Sequence, residues 1–541
     1  MQFKSFFFRK ISYILSVVRI LIFLFFITSG FAQDFQSIKK EILNFSKKKI
    51  AKPKENKLLY EFESFQAQKE SMLFIMQKGR KGAWLNHTLK KELQNCKQLF
   101  ESIKNKKVIE TEGLREEGYF CEIDGSYQPY VRYIPEGLLK YKNFPVVVFL
   151  HGYSLRYNRY NHRILEPSLI HFAKKAGVAL LLPFGRSNTD FQGIGEEDVL
   201  KAIERFKNRY SVDSRRISLL GVSMGGMGAL YIAAKNPQLF NGLGLISYRG
   251  DYSVWHGLEL GSLPLYKQYW IKKNFGSTYL ENLVSMPIIS YHGEVDRLIP
   301  IKEPQYIINK LKTFSHENLT TKVIKKGDHW IYPDVFLNNS FSNWFKRLRQ
   351  KSEKSNEVVV KLPYFPLSIS DTYRKPFLYV NCETPNSEFF KTELSKWYRF
   401  SKNTPRNKHI SELTRIDEKE YQLHLFSSDG KHERIIDLLK NSPISLKERG
   451  FIFRNKNYAL NEYGLKIMFF NTETGKNTIV HLGVPYGLHG EANHCYDALP
   501  GFMIYKNNRG EKEPHGMNEV IAGGFLDKNK KIISSSFFFK E

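Results

Sequence analysis

Apolar residues recur every three or four positions through Phe35 to Phe45, Lys57 to Gln77 and Trp84 to Lys104, the period of helices that bury one stripe. This pattern predicts a charged, helical N-terminal region over residues 33–115. At Gly118 the period changes to that of strands. Gly118 to Ile123 and Tyr130 to Ile134 read as a hairpin turned at Asp124-Gly125. Short, continuously apolar runs then alternate with helical stretches: Val146 to Leu150, Val178 to Leu182, Ile217 to Leu220, Leu243 to Ile246, Ile288 to Tyr291 and Lys322 to Ile324. Strands apolar on both faces belong to a parallel sheet covered by helices on each side. Gly195 to Tyr210 and Gly226 to Lys235 are two of the expected helices. Residues 116–350 therefore read as an α/β domain.

A charged linker, Lys351 to Glu357, interrupts the pattern. Strands are expected beyond it at Phe377 to Val380, Tyr421 to Leu425, Leu465 to Phe470 and Thr478 to His481. Helices are expected over Glu388 to Phe400 and Glu433 to Leu439. This is a second, smaller α/β domain over 351–541. A chain of 541 residues has room for two or three such cores.

The N-terminus places Lys4, Arg9, Lys10 and Arg19 before an apolar stretch, Ile20 to Ile27, and then the small-residue pattern Gly30-Phe31-Ala32. That is the layout of a signal peptide over residues 1–32, cleaved near Ala32 or Gln33, and it predicts a secreted or periplasmic protein. The alternative is an uncleaved membrane anchor, because apolar residues already begin at Phe6; Lys10 and Arg19 interrupt that longer stretch. A membrane is a partner only in that case.

The formal net charge of +28 would draw the chain to anionic surfaces if it were concentrated. It is spread instead: the densest runs, Lys47-Lys48-Lys49 and Lys528 with Lys530-Lys531, are short and interleave with no nucleic-acid module, so no nucleic-acid partner is expected. The cysteines Cys96, Cys121, Cys382 and Cys495 include no Cys-x-x-Cys pair, which leaves metal fingers unsupported. One or two disulfides would be compatible with export, and spacing does not choose the pairing.

Chemistry concentrates at Gly221-Val222-Ser223-Met224-Gly225, set between the strand ending at Leu220 and the helix starting at Gly226. A serine hydroxyl needs a base to take its proton and donors to stabilise the resulting oxyanion. A sharp strand-to-helix turn flanked by glycines supplies the required exposure. Downstream, Asp296 follows a buried strand and His329 follows the next, in the order serine, acid, histidine. Asp296 is preferred as the acid to Glu294 on the same loop and to Asp328, whose side chain should diverge from its neighbour's. His329 is preferred as the base to His292, which sits at a strand end where a structural hydrogen bond is expected. Met224, by its position after the serine, and Tyr153, in Leu150-His151-Gly152-Tyr153, are the candidate oxyanion-hole donors through their backbone N–H groups.

Together with Asp124 to Tyr130, Phe149 to Gly152, Gly185-Arg186, Gly195 to Val199 and Ser223 to Gly226, these residues resemble the secreted prolyl oligopeptidase-like and esterase members of the α/β-hydrolase superfamily, over about Gly118 to Arg349. The resemblance implies an α/β-hydrolase fold with a helical N-terminal region and a C-terminal α/β domain, and a serine hydrolase acting on a small ester or peptide without a cofactor. It does not extend to a β-propeller, because the preceding segment is too short and too helical. The acids of Gly195-Glu196-Glu197-Asp198 are read as helix-terminus charges and Arg186 as a structural partner of nearby acids. In the C-terminal domain, His489, Glu491, His494 and Cys495 are ligand types at a spacing that fits no zinc template, so no metal is expected. The competing reading, from another class, is a catalytically inactive secreted binding protein on the same scaffold.

Overall fold

The computed structural model describes residues 34–78, 83–153, 166–348, 360–363, 365–384, 386–401, 404–484, 499–506, 519–527 and 529–539. The expected signal segment 1–32, the linker Lys351 to Glu357 and the cluster His489 to Cys495 lie outside them. The chain divides into two compact units, Met1–Thr111 with Glu116–Tyr119, and Glu112–Arg115 with Phe120–Glu541.

In the first unit, helices at 34–46, Asn56–Lys78 and Ala83–Lys104 match the three apolar stripes. Phe45 and Phe65 meet edge to face at 6.2 Å, and Phe45 meets Phe100 at 5.8 Å. Strand β1 (Gly113–Cys121) contributes residues 116–119 to this unit. There Gln68 donates to the Glu116 carbonyl at 2.9 Å, and the Gly118 N–H donates to Ser64 Oγ at 3.1 Å.

The second unit contains the expected parallel sheet. Its strands are β2 (Ser126–Ile134), β3 (Phe144–Leu150), β4 (Ala179–Pro183), β5 (Val212–Val222), β6 (Gly242–Ile246), β7 (Ile288–Gly293) and β8 (Leu319–Ile324), in the spatial order β2-β4-β3-β5-β6-β7-β8. β2 is antiparallel to β4, and the remaining pairs are parallel. Helices Ile194–Arg209 and Met224–Lys235 fall where the sequence places them. On one face Val147, Phe149, Leu180, Leu220 and Val222 pack against Phe172, Phe336, Phe341 and Phe345. Strands β1, β2, β5 and β8 begin three or more residues earlier than expected. β5 begins earlier, at polar residues held in place by ion pairs from Arg215 and Arg216 to Asp213. β8 is an edge strand and mostly exposed.

A second sheet lies C-terminal, with β9 (Phe377–Asn381), β10 (Asn407–His409), β11 (Gln422–Ser427), β15 (Tyr463–Asn471), β16 (Lys476–Gly483), β17 (Phe502–Lys506), β18 (Glu519–Gly524) and β19 (Phe538–Phe539). Their spatial order is β10-β9-β11-β16-β15-β17-β18-β19. The intervening β12 (Ser445–Lys447), β13 (Gly450–Phe453) and β14 (Lys456–Ala459) make a separate three-stranded sheet. β10, β9, β11 and β16 are parallel, and the rest of the larger sheet is antiparallel. The small sheet, β10 and β17 to β19 were not expected from sequence. β10, β12 and β19 are only two or three residues long, too short to develop a period. Cys96, Cys121 and Cys382 are buried and none of them is joined in a disulfide among the described residues. Among the described residues no helix is long and apolar enough to cross a membrane.

Candidate active site

Three loops at the carboxyl ends of β5, β7 and β8 bring Ser223, Asp296 and His329 together. Ser223 sits between β5 and the helix Met224–Lys235 with φ 57° and ψ −120°, a conformation that costs a non-glycine residue about 1–3 kcal/mol and persists only where its surroundings impose it. They do. The Ser223 N–H donates to the Ile246 carbonyl at 2.9 Å, and the Ser223 carbonyl accepts from Gly226 and Met227. The flanking glycines are required by close approach: a Cβ on Gly221 would lie 2.1 Å from the Gly225 carbonyl oxygen, and one on Gly225 would lie 2.0 Å from that of Leu150.

His329 Nε2 is 3.0 Å from Ser223 Oγ, and His329 Nδ1 is 2.7 Å from Asp296 Oδ2. Asp296 Oδ1 accepts from the N–H groups of Leu298 and Ile299 at 2.9 and 2.8 Å. Both carboxylate oxygens are therefore engaged. Burial alone would raise the Asp296 pKa, but the bonds from His329 and Ile299 outweigh it and hold the carboxyl below its usual range. An ionised Asp296 fixes the Nδ1–H tautomer of His329 and leaves Nε2 as an acceptor toward the serine hydroxyl.

The competing residues take other places. His292 Nε2 donates to the Ile299 carbonyl at 2.8 Å and lies 3.5 Å from Asp296, and burial lowers its pKa. Glu294 accepts from the Lys326 N–H, and Asp328 accepts from the Trp330 N–H. For the oxyanion candidates, Met224 begins its helix, where the first amides have no intrahelical acceptor. Gly152, next to Tyr153, lies beside the serine: a Cβ on it would be in ordinary van der Waals contact, 3.5 Å from Ser223 Cβ. Fully buried Arg186 bonds Asp124 at 2.8 Å and lies 3.3 Å from Asp198. Glu196 bonds Lys235, at the far end of the helix Met224–Lys235, at 2.8 Å and Arg374 of the C-terminal segment at 2.7 Å. Burial works to raise its pKa, and the two cations overcome this and hold it down at about 2.

Sequence reasoning missed two groups near the site. The segment after β4 holds Arg186, Ser187, Asp190 and Phe191 at positive φ, and it sends Asp190 to an ion pair with Arg249 after β6. Arg249 also stacks on Trp255 at 3.9 Å. Val295, Leu298 and Trp330 are exposed on the loops that carry Asp296 and His329. Apolar residues beside catalytic candidates were the available signal. Among the described residues, no three or more His, Cys, Asp or Glu side chains gather to hold a metal ion.

Residues 190–351 match the model of the prolyl oligopeptidase family. This segment is a prolyl oligopeptidase family domain. The protein is accordingly a serine hydrolase of the α/β-hydrolase superfamily, and Ser223, Asp296 and His329 all fall inside the matched domain. No curated protein gives a significant match to the chain. Among solved structures, the chain is similar to a fluorophosphonate-binding serine hydrolase of Staphylococcus aureus at 15% identity, covering 44% of this chain and 100% of that one with a TM-score of 0.36. It is similar to an S-formylglutathione hydrolase of Agrobacterium tumefaciens at 16% identity over 44% of this chain and 98% of that one, with a TM-score of 0.36. A Pyrococcus horikoshii acylaminoacyl peptidase is 19% identical over 45% of this chain and 43% of its own length, with a TM-score of 0.33.

Proposed function

We propose that Ser223, His329 and Asp296 are the catalytic triad of this hydrolase and that it cleaves a small ester or peptide through an acyl-enzyme. The observation that carries the reading is the unbroken line from Asp296 Oδ2 through His329 to Ser223 Oγ, with contacts of 2.7 and 3.0 Å. Ser223 Oγ attacks the substrate carbonyl as His329 Nε2 takes its proton. The N–H groups of Met224 and Tyr153 receive the developing oxyanion, each such donor contributing about 3 kcal/mol to the transition state. The imidazolium, stabilised by Asp296, then gives its proton to the leaving group. Water enters, His329 deprotonates it, and hydrolysis releases the acid and restores Ser223. These steps use no cofactor. The signal-peptide pattern at residues 1–32 supports action outside the cytoplasm.

A fluorophosphonate probe tests this reading. Wild-type protein is expected to be labelled, and Ser223→Ala is expected to lose the label. Absence of labelling in the wild type would favour an inactive binding protein. Parallel assays with short acyl esters and proline-containing peptides separate esterase from peptidase.

A further inference from the structure

We infer that the site recognises an apolar chain on its substrate through Trp330, Leu298 and Val295, an inference that rests on the triad assignment above. Single exposed apolar side chains are ordinary on a protein surface. These three, at 60%, 57% and 51% exposure, stand on the two loops that deliver His329 and Asp296. Those loops are fastened to each other: the Val295 N–H donates to the Gly327 carbonyl at 2.9 Å, and the Lys326 N–H donates to Glu294 at 2.8 Å. The Leu298 N–H is itself bonded to Asp296. Trp330 meets the His329 ring edge to face at 5.3 Å between centroids.

The backbone is thus fixed at the points from which the apolar groups project, and their surface is available without reordering the chain. Tyr153, 42% exposed, follows β3, which the strand order puts on the opposite side of β5 from β7 and β8. Exposed apolar side chains therefore stand on loops from both sides of β5, the strand that leads into Ser223. A polar substrate would gain nothing from them, whereas a neutral chain attached at the reacting carbonyl would bury them along with itself.

Hydrolysis of a series of p-nitrophenyl esters from acetate to hexanoate, kept monomeric, tests this. Wild-type kcat/KM is expected to rise about tenfold along the series, as partial burial of each added methylene requires. Trp330→Ala and Leu298→Asn are each expected to shrink that ratio about threefold. The ratio is the informative quantity, because displacement of His329 by the Trp330 change would slow all the esters alike. Leu298→Asn keeps the backbone bond to Asp296. A flat wild-type series, an unchanged ratio in both variants, or a preference for a succinate half-ester over the neutral chain would overturn the inference while Ser223-dependent acetate hydrolysis continued. If acetate turnover is absent or survives Ser223→Ala, the triad assignment fails and this inference fails with it.

Discussion

Two hydrogen-bonded chains containing histidine run through the second unit, and they end differently. The first links Asp296, His329 and Ser223 at the carboxyl ends of β5, β7 and β8. The second is buried in the C-terminal sheet: Lys466 Nζ donates to His481 Nδ1 at 2.6 Å, His481 Nε2 to His424 Nδ1 at 3.0 Å, and His424 Nε2 to Thr372 Oγ1 at 3.2 Å. The Thr372 hydroxyl then donates to the Ile369 carbonyl at 2.5 Å. Each chain passes from a histidine to a hydroxyl. The Ser223 hydroxyl is half-buried, on a backbone strained to expose it, and faces a basic nitrogen. The Thr372 hydroxyl is almost wholly buried, and its proton is held by a backbone carbonyl. Both histidines of the second chain have their donors and acceptors assigned, and they stack on Tyr373 and Phe426. Residue types are thus insufficient to define a catalytic relay. Access and a free reaction direction distinguish one from a structural network.

The comparison is broken most severely at the first chain. Ser223→Ala and His329→Ala are each expected to lower turnover by about four to six orders of magnitude, and Asp296→Asn by about four, with the fold retained. Steady-state rates with circular dichroism check this, and a merely severalfold loss for His329→Ala would move the base to His292. Gly225→Ala is expected to cost more than about 4 kcal/mol, because its methyl meets backbone rather than a movable side chain. Its soluble yield and denaturant midpoint report this.

At the second chain the expected effect is on stability alone. Lys466→Met removes the cation 3.9 Å from buried Glu393 as well as the donor to His481, and should cost about 3–5 kcal/mol. Turnover per folded molecule should stay within about twofold, since the two networks share no residue. A large loss of kcat at full folding would join the two chains functionally.

A pH series sharpens the contrast further. Burial first, and then Lys466, push the His424 pKa well below its ordinary value, and burial lowers that of His292 as well. The unfolded chain therefore binds more protons than the native one below about pH 6.5. The stability these neutral histidines contribute is complete above that pH and is lost as pH falls toward their folded values. The melting temperature is expected to drop between pH 7 and 5, with a shallower slope in His424→Phe. The smallest effect is expected at the exposed Lys201–Glu204 pair, where Lys201→Ala should change stability by less than about 0.5 kcal/mol.

Much was legible from local pattern. The stripes ending near Lys104, the strands at Val146 to Leu150 and Ile288 to Tyr291, and the helix Glu433–Leu439 follow from periodicities imposed by burial within each element. So does the elbow, because the glycines around Ser223 answer to contacts inside one strand-turn-helix unit. β8 shows the limit: only its end, Val323-Ile324, is apolar, and it was read among the buried strands, but it lies at a sheet edge, and edge position is a property of the whole sheet. The Asp296–His329 contact, the burial of Glu196 against Arg374 and the His424–His481 chain join residues separated by 33, 178 and 57 positions. By itself the sequence determined most of the longer elements, the glycine-flanked turn at Ser223 and the chain order of Ser223, Asp296 and His329. Only the tertiary structure decided which acid meets which histidine and which hydroxyl stays reachable, because those choices depend on how strands from distant parts of the chain align at one end of a sheet.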